Sequence, residues 1–455
     1  MAALGARLRD QRGIAVPSVI ILIAIGTAFA TAAALAAVTA LRGTVRDHDS
    51  KAALAAANSG VDVALYRQNE VLLTDDSTFC LVESVTSLVL EGPLGDGWCG
   101  QKTGTVGDAQ YDYRAKVERL NLSQRRLSIV STGTAGEVSR RVAVSAYAPT
   151  GEALLGDSGA IGLNSLTIGG ASSVELPPGA TSGGAASNGD IVLEDSGQLC
   201  GSAQYGTGHG VVEEGSATFP TPGCPGGEGE GFLTLGRPVL PATNDNGRIT
   251  AAGTTGNDTV SPTTALGNPN RFSWDPNTRE LALKSNTTLT LGGSNYVLCK
   301  LEMEGNSTLV VAGPTNARTR IYFDSPENCG YGGGATQLSM IGQSSIVATG
   351  GNANAAAFLM VGSDSEPVPN VVLSGNAKQN EFMLYAPGHD VTVTGNSTYL
   401  GGIAGLNTSL NGSATIQIPS SITNFSASVL IRFVRERFVE CNAVLPTGGA
   451  PDASC

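Results

Sequence analysis

Residues 289–311, LTLGGSNYVLCKLEMEGNSTLVV, hold two copies of one short pattern. Two apolar residues flank a polar one. A Gly beside Asn, Gln or another Gly follows, then a small or hydroxylated residue, then a second short apolar strand. The pattern recurs as LTIGGASSVEL at 166–176, LSMIGQSSIVA at 338–348, VVLSGNAKQNEFMLY at 371–385, VTVTGNSTYLGGI at 391–403 and TSLNGSATIQI at 408–418. Later Gly corners follow one another at roughly 17–20 residues, a degenerate repeat of the kind that builds stacked turns. Gly and Asn suit corners that need positive φ, and the Val, Ile and Leu of stacked turns would fill a narrow core. These features predict a large right-handed parallel β-helix (a β-solenoid) over residues 151–424. An antiparallel β-sandwich is the alternative, since short strands and Gly-rich turns suit it too.

The composition agrees with a mainly β chain. Among 455 residues there are 60 Gly, only 5% aromatic and 15% charged residues, and 41% hydrophobic residues. So many hydrophobic residues weigh against general disorder. The formal charge of −12, with no basic block in the body of the chain, argues against nucleic acid as a partner.

Toward the N-terminus the pattern changes. From Gly13 to Leu41 there is no charged residue, and Arg7, Arg9 and Arg12 precede the run. At ~1.5 Å per residue a helix of this length would exceed ~40 Å, more than the ~30 Å hydrocarbon core of a bilayer. The basic flank places the short N-terminus in the cytoplasm and the body of the chain outside. Ala52, Ala53, Leu54, Ala56, Ala57, Val61, Ala64 and Leu65, interrupted by Asn58 and Asp62, continue the helix with an amphipathic face. One helix over 14–72 is expected. An ordinary signal peptide would have a shorter apolar region and a small-residue cleavage site, for which Ala32–Ala37 is the nearest candidate.

Between helix and repeat, YDYRAKVERL (111–120), RRLSIVSTGTAG (125–136) and VSRRVAVSAYA (138–148) alternate apolar and polar residues and are separated by turn signals. They predict a small antiparallel meander within 73–150, packed on the helix. Residues 425–455 form an expected cap and tail. Leu430, Val434 and Phe438 fit a helix there, whereas alternation through Ile431, Phe433 and Arg435 fits a final strand.

Three stretches carry a family resemblance. Gln11-Arg12-Gly13-Ile14-Ala15-Val16-Pro17 resembles the start of type IV pilins and related minor pilins. AALAAANSGVDVALYRQNE at 52–70 is similar to the continuation seen in PilX-like minor pilins. FMLYAPGHDVTVTGNSTYLGGI at 382–403 resembles a turn of β-helix domains attached to PilX-like N-termini. The resemblance implies a basic leader, residues 1–13, cut by a prepilin peptidase between Gly13 and Ile14. It also implies methylation of the new N-terminus and packing of the helix among other pilins. Most pilins carry Glu at the fifth mature position; here it is Ser18, and PilX-like members commonly lack that Glu too. The implied role is non-enzymatic: pilus assembly, tip formation or adhesion at the cell surface, with other pilins, the membrane and surface glycans as partners. Pro17 falls in the first helical turn, where its missing N–H costs nothing.

Eight cysteines, Cys80, Cys99, Cys200, Cys224, Cys299, Cys329, Cys441 and Cys455, lack a CxxC pair. Behind an export-type segment, an even count at wide spacing favours disulfides. Sequential pairing would staple four local loops, but the sequence allows many other connectivities.

No cofactor motif and no catalytic constellation stands out. His48, His209 and His389 are the only histidines, the first beside the membrane helix, the second in a Gly loop and the third assigned to a turn. None lies in a recognisable nucleophile or zinc context. Gly330-Tyr331-Gly332-Gly333-Gly334 lacks the strand-to-helix setting of a dinucleotide loop. Asn244-Asp245-Asn246-Gly247 resembles half a calcium loop without its distal Glu. A β-helix polysaccharide enzyme would need converging carboxylates. Asp324, Glu327, Asp364, Glu366, Glu381 and Asp390 are available, with no two in a paired unit. A membrane-tethered adhesin independent of any pilus is the other rival.

Overall fold

The computed structural model describes residues 15–70, 80–83, 88–91, 94–95, 97–120, 124–149, 154–180, 183–249, 258–266, 268–313, 318–363, 366–376, 380–422, 425–427 and 433–441. One long helix, Ala15–Glu70, leads into a large, mostly β body with antiparallel and parallel sheets.

The helix has two halves with opposite surroundings. From Val19 to Leu41 its apolar side chains face outward; Phe29, for instance, is 73% exposed. Beyond Asp49 it packs on a sheet, and Ala53, Ala56, Ala57, Val61 and Ala64 are buried. These positions recur at three- and four-residue steps, which keeps them on one face. Burying each Ala methyl contributes only ~0.8 kcal/mol. Docking therefore rests on many close contacts rather than on one large anchor.

The sheet under the helix is antiparallel, its strands ordered Lys102–Val106, Ala109–Arg119, Gln124–Ala135, Val138–Pro149 and Val434–Cys441. Leu127, Ile129, Val142, Val144 and Ala146 turn inward and meet Ala57, Val61 and Ala64 of the helix. Two glycines permit the close approach. A Cβ at Gly133 would lie 1.9 Å from the Ala53 carbonyl oxygen, and one at Gly60 would lie 2.2 Å from Ser131 Oγ. The C-terminal residues 434–441, for which sequence left helix and strand open, form the fifth strand of this sheet. They do not lie over the repeat region as a cap. Phe433 supplies the reason for the strand: it is buried in the core between sheet and helix. Its N–H donates to Asn69 Oδ1 at 2.6 Å, and Asn69 Nδ2 donates to its carbonyl at 3.2 Å.

The remaining chain, 154–427, is thus inserted between the fourth and fifth strands. Its two ends come together where Leu154 N–H donates to the Phe425 carbonyl at 2.7 Å. Within its 19-stranded sheet, every pairing among the described strands is parallel except that of Phe272–Asp275 with Glu280–Leu283. One in-register ladder runs Leu281, Leu301, Leu338, Val371, Val391, Thr408, Leu166, Ile191, Val211. The repeat instances found in the sequence supply six of its nine rungs, from Leu301 to Leu166. A second ladder runs Tyr296, Ile321, Phe358, Leu384, Ile403, Ala160, Ala185, Ala203. Its inward residues shrink from aromatic to Ala along the stack. A third runs Leu289, Leu309, Ile346.

The order of rungs is not the order of the chain. The chain enters at 158–168 beside 398–410, runs out to 226–230, and resumes at the far end with 272–283 before returning to the middle. The residues between, 233–246, cross the stack as a strap. Leu233 exchanges two bonds with the Asn188 amide, Gly236 accepts from Tyr385 Oη, Arg237 donates to the Ser363 carbonyl, and Asn246 exchanges two bonds with Val297. Those contacts fall in ladder order. Many of the stacked corners sit at positive φ: Gly305, Gly342, Gly395, Gly412, Gly170 and Gly215, with Ser285 and Asp195 in equivalent places; Gly375, between Gly342 and Gly395, does not.

Candidate functional site: the exposed apolar helix and its polar collar

Among the described residues one helix is long and apolar enough to cross a membrane, and none of its apolar window is buried in the protein. A row of exposed Val, Ile, Leu and Phe on a monomer marks a surface that meets lipid or another protein. Thr27, Thr31, Thr39 and Thr44 do not break the row. Each returns its hydroxyl to a carbonyl three or four residues earlier, which satisfies the group inside the helix itself.

A polar collar follows. Lys51 Nζ donates to Asp47 at 2.8 Å, one turn earlier, and this hydrogen bond holds the Lys51 ammonium above its ordinary pKa. Arg140 in the fourth sheet strand donates twice to Ser50 Oγ, at 3.0 and 2.8 Å. Arg67 donates to Tyr113 Oη at 2.9 Å. The bonds of Arg140 and Arg67 fix the rotation of the helix on the sheet, a task that small apolar contacts do poorly because they are non-directional.

The leader, Gly13 and Ile14 lie outside the described residues, as do Arg7, Arg9 and Arg12. Pro17 and Ser18 are in the helix backbone. Disulfides join Cys80 to Cys99, Cys200 to Cys224 and Cys299 to Cys329. Cys441 is disulfide-bonded as well, and Cys455 lies outside the described residues.

Four of the acidic residues weighed as catalytic groups, Asp324, Glu327, Glu381 and Asp390, are engaged by other groups of the body. Asp324 is buried, pairs with Arg279 at 3.0 Å and accepts from Asn328 at 3.0 Å. Asp390 accepts from Asn407 Nδ2 at 2.7 Å. Glu381 is buried and accepts from the Ala348 N–H at 3.1 Å. Glu327 accepts from Ser363 Oγ. Asp364 lies outside the described residues. Apart from the local Asn328–Asp324 bond, these bonds join segments far apart in the chain, which is a structural use of a carboxylate.

His389 sits in the strand Asn380–Gly395, fully buried, rather than in a turn. Its Nε2 lies 2.8 Å from Gln337 Oε1. Gln337 Nε2 in turn donates to the carbonyls of Cys299 and Asp324. Burial, with the Arg237 charge nearby, lowers the imidazole pKa to about 3, so it is neutral at ordinary pH. His209 lies 3.2 Å from Asp190 in a half-exposed loop. The half calcium loop is occupied by the protein itself: Asp245 accepts from the N–H groups of Ser294 and Asn295, and Asn246 pairs with Val297. Nothing in the local sequence signals the strand-docking role of these strap residues. Arg42 and Arg46, just past the apolar run, share a four-residue spacing in the sequence, and only the fold sets the hairpin against them.

No family model matches the chain. No curated protein matches it in sequence. Among solved structures, the crystal structure of the competence-associated pilin ComZ from Thermus thermophilus is similar over 86% of this chain and 97% of that one, at 12% identity and a TM-score of 0.24, a value too low to establish a common fold.

Proposed function

We propose that this chain is a pilin-like surface protein of the PilX-like minor-pilin type. On this reading the leader 1–13 is removed between Gly13 and Ile14, and the exposed half of the helix is held first in the membrane and then among other pilins. The observation that carries the reading is the two-faced helix: bare and apolar to Leu41, then docked through Ala53, Ala57, Val61 and Ala64 on a small antiparallel sheet. A signal peptide or a plain anchor has no need of a continuous helix that doubles as the core of the head.

The body, 151–424, is on the same reading a right-handed β-solenoid projecting from the head, stapled by disulfides suited to an oxidising exterior. The in-register parallel ladders and the recurring left-handed corners support it. Its bulk favours an infrequent position in a filament, such as the tip, and a role in assembly or adhesion, with surface glycans as a partner class. A prepilin peptidase and other pilins are the machinery it requires.

The test is genetic and biochemical. Deleting the prepilin peptidase should leave the chain at leader-bearing mass in the membrane fraction, and restoring it should place the chain in sheared surface filaments at low stoichiometry. Release to the surface unaffected by the deletion would contradict the proposal. Ser18 in place of the usual Glu gives specific support to a second reading, a membrane-tethered adhesin outside any filament. In that case the chain would be processed yet stay out of the sheared fraction.

A further inference from the structure

Where the bare helix meets the head there is a notch of about 920 Å³, walled by the helix on one side and by the hairpin residues 136–139 on the other. Along the helix it is lined in turn by Val38, Leu41, Arg42, Val45, Arg46 and Asp49; the hairpin adds Glu137. Val38, Arg42, Arg46 and Asp49 fall at i, i+4, i+8 and i+11, one stripe of the helix. Neither Arg has an ion-pair partner among the described residues.

Depth sets the order of these groups. From Val19 to Leu41 the exposed apolar helix would span ~34 Å at ~1.5 Å per residue, which fills a ~30 Å hydrocarbon core. Arg42 and Arg46 then stand at the level of lipid phosphates, with carboxylates one turn further out. Moving away from the membrane, the helix presents Val38 and Leu41, then the two cations with Val45 between them, then Asp49, and the hairpin adds the carboxylate of Glu137. Its ionised groups sum to zero, so a simple anion is a poor match. An ethanolamine phospholipid presents the complement in the same order: acyl chain, phosphate, then an ammonium two carbons beyond. From Arg46 to Asp49 the axial rise is ~4.5 Å, the scale of that short link.

We infer that this notch seats the headgroup of a phosphatidylethanolamine of the outer leaflet, its phosphate on Arg42 and Arg46 and its ammonium on Asp49 and Glu137. The inference rests on the membrane-spanning reading of the helix. Seating one lipid between helix and hairpin would fix the tilt of the head over the membrane. Charge-assisted hydrogen bonds at both ends of the headgroup give the selectivity, because the quaternary ammonium of phosphatidylcholine has no N–H to donate and phosphatidylglycerol has no cation.

The test uses the full chain reconstituted in vesicles of phosphatidylcholine alone or mixed with phosphatidylethanolamine or phosphatidylglycerol. Amide hydrogen exchange is followed at residues 134–139. Phosphatidylethanolamine should slow exchange by about tenfold or more, the scale of one or two hydrogen bonds to charged groups. The variants R42Q/R46Q and D49N/E137Q should each abolish that effect, while amides of the sheet core keep their protection and report an intact fold. Equal exchange in all three lipids would overturn the inference. So would protection by phosphatidylglycerol that survives D49N/E137Q, which would mark a plain anion site. Vesicle flotation separates the two levels: a chain that floats without a lipid effect defeats only this inference, whereas a chain that does not float defeats the membrane reading.

Discussion

Two single residues show how closely the parts of this chain are fitted. Gly133 lies where the helix backbone passes over the sheet, and a Cβ there would sit 2.5 Å from Ala57 N as well as against the Ala53 carbonyl. Backbone does not yield as a flexible side chain does, so G133A should destabilise the head by about 1–3 kcal/mol, the usual cost of overpacking. A urea titration reads this as a lower midpoint at unchanged slope; an unchanged midpoint would mean that the helix does not dock as described. His389 makes a different demand. Its folded pKa of about 3 lies below the ordinary 6.5, so below pH 6.5 the unfolded chain takes up a proton that the folded chain refuses. Its contribution is fully present above pH 6.5 and is lost as pH falls toward 3, with a slope of at most ~1.4 kcal/mol per pH unit. Comparing H389Q with the parent chain isolates this term from the carboxylates. The parent should lose stability more steeply between those limits, and parallel profiles would contradict the burial of a neutral imidazole.

At the scale of elements, the strap 233–246 should act as a tie rather than as a connection. Asn246 gives Val297 both a donor and an acceptor, so N246A leaves two backbone groups without those partners and should cost about 1–3 kcal/mol. The expected reading is faster hydrogen exchange at 295–298 while the sheet under the helix is unaffected. The Cys299–Cys329 bridge closes a loop across 30 residues, and replacing both cysteines with Ser should lower stability by about 2–4 kcal/mol, measured by thermal unfolding. Elements of these kinds differed in how legible they were. The helix, the three meander strands and the repeating strands could be read because each repeats an apolar position at a fixed period, 3.6 or 2. The strap and the buried His389 have no such period, and the strand Val434–Cys441 fits both periods, so its own pattern does not decide it. They are placed by partners far away in the chain, Asn69 for Phe433 and Gln337 for His389. Arg42 and Arg46 were visible as residues, but only the nearby hairpin turns them into the wall of a notch.

For the whole molecule, the insertion is the decisive feature. Both ends of the 154–427 segment meet at the Leu154–Phe425 hydrogen bond, beside the sheet whose fourth and fifth strands it separates. A head shortened by joining 149 to 433 through a brief Gly/Ser linker should therefore keep its sheet, because the pairing of Val138–Pro149 with Val434–Cys441 does not pass through the stack. Dispersed amide resonances from such a head would support this, and a collapsed spectrum would refute it. On the proposed reading, the membrane or neighbouring helices surround the exposed apolar helix, and the stacked strands lie outside. On the proposed function this helix begins life behind a pilin-type leader, and mass spectrometry of the mature N-terminus decides it. The mature chain should start at Ile14 with a methylated amine; an intact leader, or a start within Ala32–Ala37 left by signal peptidase, would overturn that reading.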